Sequence, residues 1–165
     1  MTGRGSSRSR GGGPRLCWVH EPPAAFEPLV AAARARELRV GWLLLGPITP
    51  VAELEPAARC GMARSVAVGG GASVALKPIA GEPVLGDLLR GHFPGFALVL
   101  LSGDPAHPGV RIDPGLEPAR LWRSRSAGFE SSALVGETWR LLTPDGRERT
   151  LSTEQLLGRL RRPRW

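Results

Sequence analysis

Apolar positions along this chain fall into short continuous runs, separated by segments in which they recur every three or four residues. Leu16–His20, Val40–Leu45 and Phe96–Leu101 are continuous runs, the pattern of strands covered on both faces. Ser65–Val68 is a weaker run that enters the glycines Gly69, Gly70 and Gly71. Between the first two runs, Phe26, Leu29, Val30 and Ala33 recur at helical spacing, and Pro28 places the first helical turn near Glu27. Thr49-Pro50 reads as a second helix start, a hydroxyl cap followed by proline in the first position. Val51, Leu54, Ala57 and Ala58 give that helix one apolar face, and Cys60-Gly61 ends it. Gly81-Glu82-Pro83 opens a third helix over Val84, Leu85, Leu88 and Leu89, ending near Gly91-His92. The order β-α-β-α-β predicts a parallel sheet with crossover helices, in which the four early runs lie side by side.

Ser73–Ile79 alternates, and is expected to return antiparallel to Ser65–Val68 through the glycines. After Phe96–Leu101 the pattern changes. Ser102–Pro118 carries four prolines and three glycines and reads as loop. Ala119–Arg125 and Thr138–Thr143 alternate large apolar residues with arginine, and Thr143-Pro144-Asp145-Gly146 is a turn that returns the chain through Arg147–Leu151. These late strands read as exposed or edge antiparallel strands added to the parallel core. Ser152 with Gln155 matches a capping box, and Leu156, Leu157 and Leu160 form the apolar side of a last helix. The expectation is an α/β fold: a small Rossmann-like three-layer domain over 16–160, with a mostly parallel sheet, a C-terminal antiparallel hairpin and a terminal helix. Residues 1–15 and 161–165 are expected to be basic tails.

Length and composition change this picture in one respect. At 165 residues, 42% hydrophobic and 22% charged, the chain is an ordinary globular length for one core. The formal charge of +7 belongs to the ends. Arg4, Arg8, Arg10 and Arg15 at the start, and Arg159, Arg161, Arg162 and Arg164 at the finish, have no acidic neighbour in their segments. With those eight set aside, 14 basic and 15 acidic residues remain over 16–158, so no basic groove across the domain is indicated. Arginine outnumbers lysine 21 to one, with no Tyr or Asn, which fits a GC-rich coding bias better than selection for nucleic acid. Cys17 and Cys60 are too few for a disulfide framework and read as small buried hydrophobes. No run approaches the roughly 18 apolar residues of a membrane span, and no apolar stretch follows the first arginines, so a cytoplasmic location is expected.

In a parallel sheet, ligands sit beyond the carboxyl ends of the strands, here His20-Glu21, Gly46, Gly69–Gly71 and Ser102-Gly103-Asp104. The glycines could admit an anion to backbone N–H groups. The phosphate-loop templates fail, however: Val74 stands where G-x-G-x-x-G needs glycine, and Pro78 follows Lys77 where a Walker motif needs Ser or Thr. A plain hairpin turn is therefore the competing reading. Lys77, the only lysine, offers a compact ammonium for a phosphate, or a solvated strand position. His20, His92 and His107 show no metal-ligand spacing. Ser102, His107 and Asp104 contain the types of a nucleophile set but lack an elbow motif. Trp122 and Trp139, beside Arg120, Arg123, Arg125 and Arg140, suggest a stacking platform for single strands, or ordinary sheet packing. The candidate ligand-binding set is Gly69, Gly70, Gly71, Lys77, His20, Asp104 and His107; no catalytic residue, metal site or cofactor is assigned.

Three functions compete on these residues. The first is a small binding or accessory module for an anionic metabolite, nucleotide or protein partner. The second is nucleic-acid association through the termini, using Arg8, Arg10, Arg161, Arg162, Arg164 and Trp165. The third, least supported, is a hydrolase or transferase. The second makes a direct prediction. Any DNA or RNA affinity should fall steeply with salt and vanish when 1–15 and 161–165 are deleted, as read by fluorescence anisotropy. Affinity that survives the deletion would reject the termini as its source.

Overall fold

The computed structural model describes residues 13–46, 56, 60, 62, 64–69, 71–76, 79, 81–124 and 137–160. The expected helix over Thr49–Gly61 and both basic tails, apart from residues 13–15, lie almost wholly outside them. The described chain is a mixed α/β fold. Its strands are β1 (Arg15–Trp18), β2 (Val40–Leu44), β3 (Ser65–Gly69), β4 (Ala72–Leu76), β5 (Leu98–Ser102), β6 (Ala119–Ser124), β7 (Thr138–Leu142) and β8 (Glu148–Ser152). Its helices are α1 (Glu27–Ala35), α2 (Leu85–His92) and α3 (Thr153–Gly158), with a 3₁₀ turn at Pro23–Phe26. None of these helices is long and apolar enough to cross a membrane.

Six strands form one sheet in the order β2-β5-β1-β6-β7-β8. β2, β5, β1 and β6 run parallel, while β7 and β8 are antiparallel to their neighbours. The centre is β5, where Leu98, Val99, Leu100 and Leu101 are all buried. Successive residues of β1 and β5 enter two different apolar clusters, so the clusters lie on opposite faces of the sheet. Cys17, Val19, Leu98, Leu100, Leu121, Trp139 and Leu141 pack with Phe26, Leu29 and Ala33 of the first helical segment and Leu156 and Leu157 of α3. Leu16, Trp18, Val99 and Leu101 pack with Leu85 and Leu89 of α2 and with Val110 from the long loop. Each fully buried leucine contributes on the order of 2 kcal/mol through the apolar surface it removes from water.

Local signals account for the element ends. α1 begins at Glu27 with Pro28 in its first turn, as the pattern predicts. It closes in a Schellman motif: Leu38 N–H donates to Ala33 O at 2.9 Å and Glu37 N–H to Arg34 O at 3.0 Å. Glu37 takes the left-handed position, φ 57°, where glycine is usual. The capping box at α3 forms as expected, Gln155 N–H donating to Ser152 Oγ at 3.1 Å and Ser152 N–H to Gln155 Oε1 at 3.0 Å. In the loop Ser102–Pro118, Asp113 accepts from Gly86 N–H at 3.1 Å, which pins the loop against the first turn of α2.

Two expectations fail. Ser65–Val68 is not a neighbour of the other early strands: among the described residues β3 pairs only with β4, in a separate two-stranded sheet. Its two valines and two small residues bury too little surface to displace β5, whose four large apolar residues occupy the place between β1 and β2. Of the late strands, β8 is the exposed antiparallel edge strand expected, but β6 and β7 are not appendages. β6 pairs parallel with β1, and β7 is an interior strand whose Trp139 is fully buried. Leu156 and Leu157 of α3 cover the face that the alternation of β7 creates. Cys17 is buried as expected, whereas Cys60 is exposed.

Burial pushes the Cys17 thiol up to about 12, with Arg15 drawing it slightly back. Because the folded value lies above the unfolded one, its contribution is complete below the ordinary thiol range and is lost as pH rises from about 9 towards 12. With no Tyr and one Lys in the chain, few other groups titrate there. A thiol reagent should label Cys60 in the folded protein and Cys17 only on unfolding, and Cys17→Ala should flatten the alkaline decline of Tm.

Candidate functional site

The connections set out from the carboxyl ends of β1 and β6 in opposite directions. β1 continues through α1 to β2, on one side, and β6 continues to β7, on the other. In open α/β sheets such divergence leaves a crevice at the strand ends, the usual place for a ligand. Glu21 lies there, three residues beyond β1. Its Oε1 accepts from the backbone N–H of Arg123 on β6 at 3.1 Å, across 102 positions of sequence. The Arg123 guanidinium pairs with Glu137, the residue before β7. Glu137 is held in turn by α3: Thr153 N–H donates to Glu137 O at 3.2 Å and Thr153 Oγ1 donates to it at 3.3 Å. Trp139 Nε1 donates to Thr153 Oγ1 at 2.9 Å. The core tryptophan, the helix start and the backbone of Glu137 thus form one hydrogen-bonded chain.

The edge carries an electrostatic peculiarity. Glu21 Oε2, Glu137 Oε2 and Ser102 Oγ are the buried side-chain polar atoms without a hydrogen-bond partner among the described residues. All three belong to residues at the carboxyl ends of the parallel strands or at the facing start of β7. An unpartnered buried acceptor costs about 1–3 kcal/mol, so native folds keep few, and a cluster of them needs a cause. Ser102 ends β5, beside β1, and Gly103 follows with φ +131°. A Cβ on Gly103 would stand 2.1 Å from Leu45 O, so the chain can leave β5 this closely to β2 only with glycine there.

The candidates named from sequence are dispersed. Gly69 and Gly71 sit at the exposed tip of the β3–β4 hairpin, Gly71 with φ +78°, and nothing approaches within 4 Å of a Cβ built on either. The hairpin reading holds for these two. Gly70, Lys77, Arg8, Arg10, Arg161, Arg162, Arg164 and Trp165 lie outside the described residues. Asp104 and His107 do meet, His107 Nδ1 lying 3.1 Å from Asp104 Oδ2, but both are exposed. Ala106 N–H donates to Asp104 Oδ1 at 2.8 Å; that bond first, and His107 second, hold the Asp104 carboxyl below its usual range. The pair closes a local turn. His20 is exposed and joined to neither. Ser102 Oγ meets no histidine, so the nucleophile set is not assembled.

The stacking-platform residues separate as well. Trp139 is fully buried, stacked on Phe26 at 5.5 Å, and cannot reach a base. Trp122 has the Arg140 guanidinium 5.2 Å from its ring centre, and Arg140 is already paired with Glu148. Glu137 was invisible to sequence reasoning, because it meets Arg123 only through the β6–β7 pairing. The available signal was the register itself: Arg123 opposes Trp139. Among the described residues no three His, Cys, Asp or Glu groups converge as a metal site. No protein-family model, curated protein or solved structure matches the chain.

Ser102 and Leu100 lie two residues apart on β5, and their truncation should differ sharply. Ser102→Ala removes a hydroxyl without a partner and should change stability by under about 0.5 kcal/mol or raise it, whereas Leu100→Ala should cost about 2–5 kcal/mol by urea unfolding. A large loss for Ser102→Ala would mean that its hydroxyl is satisfied.

Proposed function

We propose that this protein is a small α/β binding module whose ligand sits at the carboxyl edge of the parallel strands, against Glu21, Ser102, Arg123 and Glu137. Apolar clusters with helices on both faces of the sheet support the finer reading of a Rossmann-like three-layer fold. That architecture places ligands at this edge. The observation that carries the proposal is that the unpartnered buried oxygens among the described residues all fall along this edge. The two carboxylate oxygens only accept hydrogen bonds and the Ser102 hydroxyl can accept or donate, so the ligand they suit presents donors: the hydroxyls of a sugar or nucleoside, or an amine.

The charge of the site points the same way. The described residues there carry two carboxylates and one guanidinium: Glu137 pairs with the Arg123 guanidinium, and Glu21 accepts from the Arg123 backbone. An anionic metabolite would meet net negative charge, so the anionic version of the binding reading loses ground to a neutral or cationic donor ligand. A phosphate loop in the β3–β4 hairpin loses support too, since no group stands within 4 Å of a Cβ built on Gly69 or Gly71. Nucleic-acid association through the termini remains a separate proposal, resting on their arginines alone. The enzyme reading draws nothing from the separated Ser102 and His107.

Thermal-shift measurements with nucleosides, polyols, aminosugars and polyamines, with inorganic phosphate as the contrasting probe, test the proposal. A member of the donor class should raise Tm, and the rise should disappear in Glu21→Ala and Glu137→Ala. At about 10 mM ligand, a Kd of about 1 mM already gives about 1.4 kcal/mol. Stabilisation by phosphate alone, by no donor compound, or equally in both variants would overturn it.

A further inference from the structure

The β3–β4 hairpin is the part of the molecule least explained as a free-standing element. Among the described residues its strands hydrogen-bond only to each other, and neither outer edge meets a further strand. From Ser65 to Leu76 it contains no charged residue. Val66 is 52% exposed, Val68 82% and Val74 47%. A lone two-stranded hairpin is marginal in water, and open edges without lysine, proline or a bulge invite another strand. The outer strand β8, by contrast, carries Glu148 and Arg149.

The sequence of β3 specifies which strand fits. Ser-Val-Ala-Val-Gly is nearly symmetric about Ala67. When such a strand pairs antiparallel with its own copy around Ala67, Val66 of each chain lies opposite Val68 of the other, on the same face. Two valine–valine pairs result, and no charge is brought against its like. β4 is the poorer edge, since pairing about Val74 would set Ser73 against Ala75, and the chain runs on into Lys77 and Pro78. Its end also borders a cleft of about 380 Å³ shared with Val84 and Leu88.

We propose that the protein forms a two-fold dimer by antiparallel pairing of β3 with the β3 of a second copy, the axis passing by Ala67, to give a four-stranded sheet β4-β3-β3-β4. The contact is isologous, the commonest form of self-association, and independent of the carboxyl-edge site. Screening by salt should strengthen it, since two chains each of charge +7 repel.

Sedimentation velocity on the full chain should show a dimer that dissociates on dilution. Val68→Lys should give a monomer with unchanged circular dichroism. In a Cys60→Ser background, Ala67→Cys should cross-link two chains on mild oxidation, because directly opposed residues of antiparallel strands stand at a distance that a disulfide spans. Val74→Cys, on the outer strand, should cross-link far more slowly. A wild-type chain that stays monomeric overturns the proposal, as does a dimer that survives Val68→Lys or equal cross-linking at 67 and 74. A monomer that instead binds neutral lipid vesicles through Val68 also overturns it, and gives the hairpin to a membrane surface.

Discussion

The structure depends on the burial of one strand. Leu98 to Leu101 offer apolar side chains to both faces and no polar one to either, so β5 is stable only with a strand on each edge and a covered surface on each side. β1 and β2 supply the edges. The first helical segment covers one face and α2, with the loop pinned to it by Asp113, covers the other. Every functional position discussed takes its place from this arrangement, since Ser102 ends β5 and Glu21 follows its neighbour β1.

The second organising contact is aromatic. Phe26, set by the 3₁₀ turn after β1, stacks on Trp139 at 5.5 Å and meets Trp42 at 6.1 Å. It joins the second parallel strand to the antiparallel part of the sheet. Trp139 also holds Thr153, and Thr153 holds the backbone of Glu137. Core packing therefore fixes the backbone from which the Glu137 carboxylate reaches the edge.

The contrast between β3 and β5 shows how far a run of apolar letters can be trusted. Both read as strands, and both are. What separates them is the size of the side chains: Leu-Val-Leu-Leu stabilises a doubly covered strand, while Ser-Val-Ala-Val leaves a hairpin closed by its own glycines. Periodicity measures which face is apolar, not how much surface a competing strand would bury in the same slot. The late strands err in the other direction. Arg120 and Arg140 make β6 and β7 look exposed, yet Leu121, Trp139 and Leu141 bury the opposite face beneath α3.

Element boundaries were legible in residue order because they rest on local chemistry: Pro28 at the start of α1, Ser152 with Gln155 at α3, and Thr143 to Gly146 at the turn each act within four residues. The mixed α/β class and the parallel pairing of the three strongest runs followed from the same local patterns. Strand order did not, and neither did the meeting of Glu21, Arg123 and Glu137. A carboxylate that accepts from a backbone 102 positions away obeys no local rule. It is placed by which strands win the centre of the sheet, a competition among whole buried surfaces that is settled only when the chain closes on itself.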